Sequence, residues 1–163
     1  MAVPAFGQGN LQEYLLKAGF IERFTRFIEF PDSILPSHLD SVFIIGVIGD
    51  DPFNGVLESF FQDNTIKDHI VEIKHFDNIN EVKNCHLLFI SYSKQEELPE
   101  IMEFILEYPI VTVGDTKNYA KEGVMINFYI EQNKMRFEIN LKTVEKSGLK
   151  ISHLLLKAAR PVK

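Results

Sequence analysis

One cysteine, no tryptophan and no apolar run near the roughly 20 residues that span a bilayer set the first limits on this 163-residue chain. Cys85 alone cannot close an intrachain bridge, so a disulfide framework is excluded and the redox compartment is left open. Without tryptophan, the 14 phenylalanines must supply most of the large aromatic core. Positive charge is also short. Lys and Arg number 17 against 23 Asp and Glu, a net charge of -6, which argues against nucleic acid as a partner because phosphate-backbone binding needs clustered cations. No G-x-x-x-x-G-K-[ST], C-x-x-C or H-E-x-x-H occurs, and His38, His69, His75, His86 and His153 are scattered without metal spacing. A basic segment followed by an apolar one is missing from the start, yet "MAVPAFGQGN" has the small, turn-like character of the end left by signal cleavage. Residues 1–10 are therefore expected to be a disordered remnant, and 11–163 a single domain.

What is present reads as α/β. Apolar residues make up 45% of the chain and charged residues 25%, the profile of an ordinary globular domain. From Leu11 to Phe30, Tyr14, Leu15, Ala18, Ile21, Phe24, Phe27 and Ile28 recur at helical spacing, with Asn10 as the expected cap and Pro31 as the stop. After the linker "PDSILPSH", the run "SVFIIGVIGDD" is almost wholly apolar until it turns acidic, the pattern of a buried parallel strand. "FNGVLESFFQ" predicts a helix, "HIVEIKH" and "CHLLFIS" two strands, Glu97–Glu107 another helix and "IVTVGD" a fourth strand. Strands separated by helix-length segments predict right-handed crossovers and a mainly parallel sheet flanked by helices.

The rhythm then changes. In "MINFYIEQNKMRFEINL" a tight turn at Gln132-Asn133 sets Ile130 against Met135, Phe128 against Phe137 and Ile126 against Ile139, giving an antiparallel hairpin with one apolar face. Its other face carries Arg136, Glu138 and Asn140 in a row, opposite Tyr129 and Asn127. Two further helices are expected after Leu141, parted near Gly148, the last carrying Ile151, Leu154, Leu155 and Ala158.

Several arrangements invite chemistry and fail on spacing. "GVIGDDPFNG" lacks G-x-G-x-x-G, and Asp50 and Asp51 would repel a phosphate. Paired acids after the first strand suggest a phosphoacceptor receiver, but the third strand ends in Ser91-Tyr92-Ser93 rather than an acceptor Asp. Cys85 and His86 point to opposite faces of their strand and cannot share a proton. No nucleophile and base can be placed together, so the chain reads as non-enzymatic and without a cofactor or metal. Asp50, Ser91, Ser93 and Asp115 end parallel strands, where open sheets bind ligands, and are expected to rim a small polar crevice. The polar row on the hairpin is expected to tether the C-terminal helices, with Asn140 capping the helix from Leu141. An exposed apolar patch is sought on the first helix, around Phe20, Phe24 and Phe27.

Taken in order, "YLLKAGFIERFTRFIEFP", "VFIIGVIGDDPF", "NCHLLFIS", "GVMINFYIEQNKMRFEINL" and "GLKISHLLLKAAR" resemble the YfiR-like proteins over nearly the whole chain. The resemblance implies a periplasmic, often dimeric regulator that restrains a membrane-bound diguanylate cyclase by binding its periplasmic part, so controlling cyclic di-GMP. Matching positions are Gly49, Asp50, Cys85, Asn127, Arg136, Glu138, Asn140, Gly148 and Ser152. Together with the strand-end crevice, these give Asp50, Ser91, Asp115, Asn127, Arg136, Glu138 and Asn140 as candidate ligand or partner contacts. Relatives carry cysteine pairs and a tryptophan before the proline; here Cys85 is alone and Phe30 stands in that place, so redox control through an intrachain bridge is not implied. A small-molecule sensor using the strand-end crevice is the alternative.

Overall fold

The computed structural model describes residues 8–36, 41–106 and 108–163. Most of the expected N-terminal remnant, together with Ser37 and His38 of the linker and Glu107 of the predicted helix, lies outside the described residues. In chain order the elements are α1 Gln8–Arg26, β1 Ile28–Glu29, β2 Phe43–Ile48, α2 Val56–Gln62, β3 Val71–Phe76, β4 Leu87–Ile90, α3 Leu98–Ile105, β5 Val111–Gly114, β6 Ile126–Glu131, β7 Lys134–Asn140, α4 Leu141–Ser147, β8 Lys150–Ile151, α5 His153–Ala158 and β9 Arg160–Val162. Short 3₁₀ turns at Ile79–Asn84 and Tyr92–Lys94 lead into and out of β4.

Seven strands form one sheet in the order β3-β2-β4-β5-β6-β7-β9, parallel from β3 through β6, with β7 antiparallel to β6 and β9 parallel to β7. The predicted α/β architecture is therefore present. Burial alternates as a two-sided sheet demands. Phe43, Ile45 and Val47 of β2, Leu87 and Phe89 of β4, Val111 and Val113 of β5, and Ile126 and Phe128 of β6 join Ala18, Ile21 and Phe24 of α1 in the larger core. Ile48, Leu88 and Ile90 face the other way, onto Leu98, Ile101 and Ile105 of α3. The hairpin pairs in the expected register, and Gln132 and Asn133, at φ 51° and 60°, form the left-handed two-residue turn that suits the strand twist.

Four expectations need correction. Helix α1 starts at Gln8, so Asn10 lies within its first turn and caps nothing. It also stops at Arg26: Ile28 and Glu29 pair antiparallel with Ile151 and Lys150, and the Phe27 carbonyl accepts the Ser152 N–H at 2.8 Å. Ile151 accordingly belongs to a short strand, and the last helix begins at His153 behind a Ser152 cap. Strand β9 was not expected at all; its Pro161 sits opposite Ile139 at the sheet edge, where a missing N–H costs no ladder bond.

Phe24 is almost wholly buried, 5.6 Å from the Phe128 ring and 4.8 Å from Phe137, so α1 is fixed against the hairpin by stacked and edge-on phenyl contacts. Phe24→Ala should cost about 3–5 kcal/mol of unfolding free energy, read by urea denaturation. Just before β4, His86 stacks on Phe43, accepts the Ile44 N–H at Nδ1 (2.9 Å) and so carries its proton on Nε2, which faces the Ile34 carbonyl at 3.0 Å. Burial holds this imidazole below its ordinary value, outweighing the Ile34 contact. Because the unfolded ring titrates at about pH 6.5, the stabilisation is complete above that value and is lost as the pH falls from it toward the folded-state value. The urea midpoint should fall between pH 7.5 and 5, and His86→Gln, which cannot titrate, should flatten that slope.

Candidate functional site

Strand β2 lies between β3 and β4, so the chain leaves it toward one side and returns on the other. The carboxyl ends of β2 and β4 are thus the switch point at which open sheets form crevices. Gly49 makes the turn there at φ 93°, and any Cβ on it would lie 2.5 Å from the Ser93 Oγ, so only glycine lets the two loops close up. The Asp50 N–H donates to the Ser93 Oγ at 2.8 Å, and the Asp51 Oδ1 accepts the Phe53 N–H at 2.8 Å.

Between these loops and the first turns of α1 lies a crevice of about 710 Å³, lined by Asp50, Asp51, Phe53, Tyr92, Glu13 and Tyr14 among others. A second hollow of about 490 Å³ adjoins it, sharing Glu13, Tyr14 and Tyr92 and adding Lys17, Asp115, Thr116 and Tyr129. Asp50 is exposed in the first and Asp115 lines the second. Ser91 is not at the rim: it is fully buried, its carbonyl accepting the Tyr119 hydroxyl at 2.7 Å, while its Oγ meets Ser93 from beneath.

The wall between the hollows is a charged cluster. Lys17 is buried, and its Nζ donates to Glu13 Oε2 and Asp115 Oδ2, both at 2.8 Å, while sitting 4.1 Å from the Tyr14 ring centre. The Tyr14 hydroxyl donates to the same Asp115 oxygen at 2.6 Å. Burial, then the Asp115 charge, drives the Tyr14 phenol far above its ordinary value, so it stays a proton donor at any physiological pH. Asp115 therefore joins α1 to the end of β5. Sequence reading missed Glu13, Tyr14 and Lys17 as site residues. The available signal was a lysine set inside an otherwise apolar helical stripe, four residues after a glutamate.

The polar row on the hairpin divides among three tasks. Asn140 caps α4 by accepting the Thr143 N–H at 3.0 Å, and its Nδ2 donates to the Ala120 carbonyl at 2.6 Å. Asn127 donates to the Thr116 carbonyl at 2.8 Å, so the two asparagines hold opposite ends of the loop over this face. Glu138 is buried and receives Nε and Nη2 of Arg160 from β9 at 3.1 and 2.6 Å, with that guanidinium 4.0 Å from the Tyr129 ring. Arg136 stands at the exposed end of the row, 3.4 Å from Glu131. Cys85 is buried, its thiol facing the Val82 carbonyl at 3.0 Å and pushed up to about 12 chiefly by burial, an inert core group.

Removing one partner of the Lys17–Asp115 pair leaves a buried charge with less compensation. Asp115→Ala should cost about 3–5 kcal/mol in a urea titration. It should also loosen the first turns of α1, seen as faster amide exchange around Tyr14.

The solved structures that resemble this chain include a conserved domain protein from Vibrio cholerae O1 biovar El Tor, 12% identical with a TM-score of 0.58. Another is an ABC domain from Streptococcus pneumoniae in complex with L-Trp, also 12% identical, with a TM-score of 0.60. Each match covers 92% of this chain and 60% of the other, so the chain spans about three fifths of the length of those proteins, and at such identity the likeness concerns the fold alone. Sequence places it more narrowly: a family model described as YfiR/HmsC-like matches residues 14–160, from the tyrosine that reaches Asp115 to the arginine that pairs with Glu138. The chain therefore belongs to the YfiR/HmsC-like family, a family of periplasmic regulators.

Proposed function

We propose that this protein is a non-enzymatic periplasmic regulator that docks on the periplasmic part of an inner-membrane signalling protein, a diguanylate cyclase, and restrains it. Its output is the level of cyclic di-GMP. The observation that carries this reading is the family match over residues 14–160. Two structural features support it. No helix among the described residues is long and apolar enough to cross a membrane, which suits a regulator that acts on a membrane protein from outside the bilayer. The Ser–His contact among the described residues is also unsuited to proton abstraction. His69 Nδ1 lies 2.7 Å from the Ser41 carbonyl and 3.1 Å from its hydroxyl, so that nitrogen carries the proton and donates it to the carbonyl.

The apolar patch expected on α1 is partly where anticipated: Phe20 lines a surface hollow with Leu15, Leu16 and Gly19, and Phe27 is partly exposed. Phe24 is buried, and the patch extends instead toward the start of the helix, where Leu15 and Leu16 are half exposed beside Gly19 and Leu11 is exposed one turn earlier. Such a surface suits a protein partner. A homodimer belongs to the same family reading and would be read by light scattering on the purified chain.

Immobilised protein should retain the periplasmic portion of a diguanylate cyclase from the same genome, and deletion of the gene should raise cyclic di-GMP. Leu15→Glu with Leu16→Glu should weaken capture at least tenfold while the urea midpoint holds. No capture, with unchanged cyclic di-GMP on deletion, would overturn the reading. The crevice that Asp50 lines favours a second reading, a small-molecule sensor; a thermal shift by a polar metabolite that Asp50→Asn abolishes would establish it.

A further inference from the structure

The histidines have no metal spacing along the chain, but folding brings one of them to two carboxylates from other segments. His75 lies near the end of edge strand β3, Asp51 in the loop after β2, and Glu58 on α2. One ligand atom from each falls within 4.8 Å of the other two. The His75 Nδ1 is 3.6 Å from Asp51 Oδ2, and its Nε2 is 3.8 Å from Glu58 Oε1. Both separations are longer than a hydrogen bond between such groups, roughly 2.7–3.2 Å. Asp51 meets Nδ1 and Glu58 meets Nε2, whereas one ion takes a single ring nitrogen, so the spread that matters is the 4.8 Å holding one ligand atom from each residue, against ~3.4 Å between two ligands that each sit about 2.1 Å from a tetrahedral ion.

The surroundings suit a cation. Asp51 is already oriented, its Oδ1 held by the Phe53 N–H, which leaves Oδ2 for a second partner. Glu58 and His75 have side chains about half exposed, so they can move the ångström or so that closes a shared coordination shell, and water can fill its open positions. Lys74 and Phe76, the strand neighbours of His75, project to the opposite face of β3, so Lys74 does not insert an ammonium among the three groups. With a neutral imidazole the cluster carries two negative charges, which one divalent ion cancels.

We propose that Asp51, Glu58 and His75 form a binding site for one divalent transition-metal ion of the zinc type, with two carboxylate oxygens and one imidazole nitrogen as protein ligands. The imidazole selects a borderline ion over Mg²⁺ or Ca²⁺, which prefer all-oxygen shells. Asp51 also lines the crevice at the switch point, but none of the three ligands belongs to α1, and the assignment assumes nothing about the regulated partner.

The test is calorimetric titration of the untagged full chain with Zn²⁺, beside His75→Ala, Glu58→Gln and a control His153→Ala. One Zn²⁺ per chain should bind, His75→Ala and Glu58→Gln should each weaken it at least tenfold, and His153→Ala should leave it unchanged. Co²⁺ should give a visible absorption band that His75→Ala removes. Absence of binding at about 100 µM Zn²⁺, equal binding by His75→Ala or Glu58→Gln, loss in His153→Ala, or displacement by equimolar Mg²⁺ would each overturn the assignment. Circular dichroism on every variant separates loss of the site from loss of the fold.

Discussion

The contact of Phe24 with Phe128 and Phe137 fixes where α1 lies, and the arrangement at the strand ends follows from it. A parallel sheet must be covered on both faces. Here α1, α2 and the C-terminal helices share the larger core on one face, and α1, toward its start, carries Tyr14 and Lys17 to Asp115. Apolar packing determines the position, and the charged cluster determines the rotation of the helix about its axis. A lysine at that depth needs its two carboxylates, because burying an unpaired ammonium is costly.

The C-terminal segment works in the same way at the other end of the sheet. Glu138, Asn140 and Asn127 would each be an uncompensated polar group if the hairpin stood alone. Asn140 caps α4 and holds Ala120, Asn127 holds Thr116, and Glu138 holds Arg160 of β9. The residues that first look like a binding face therefore anchor the loop and the tail. Open polar groups are found instead at the switch point, where Asp50 faces the crevice, and on the β3 edge.

Local periodicity made much of this legible. The apolar run of β2, the alternation of β6 and β7 with the Gln132-Asn133 turn, and Asn140 before a helix all depend on neighbours in the chain, and each was readable from residues alone. Pairing between distant segments was not. Nothing near Ile28 announces that it will meet Ile151, and a three-residue strand containing Pro161 has no pattern of its own. The buried role of Ser91 was hidden because it depends on Tyr119 arriving from a loop much later in the chain. Lys17 was visible as an anomaly, a charge on an apolar stripe, but its partner Asp115 was readable only as a strand end.

The placement of Pro161 bears on how copies of the chain can meet. β9 is the outermost strand on its side, and a proline there offers no backbone donor to a further strand while its ring crowds the approach. Lateral growth of the sheet in that direction is thus blocked by one residue, without the row of surface lysines that edges often use. A molecule sealed in this manner can present a rigid helical surface to a neighbour without the hazard of polymerising strand upon strand.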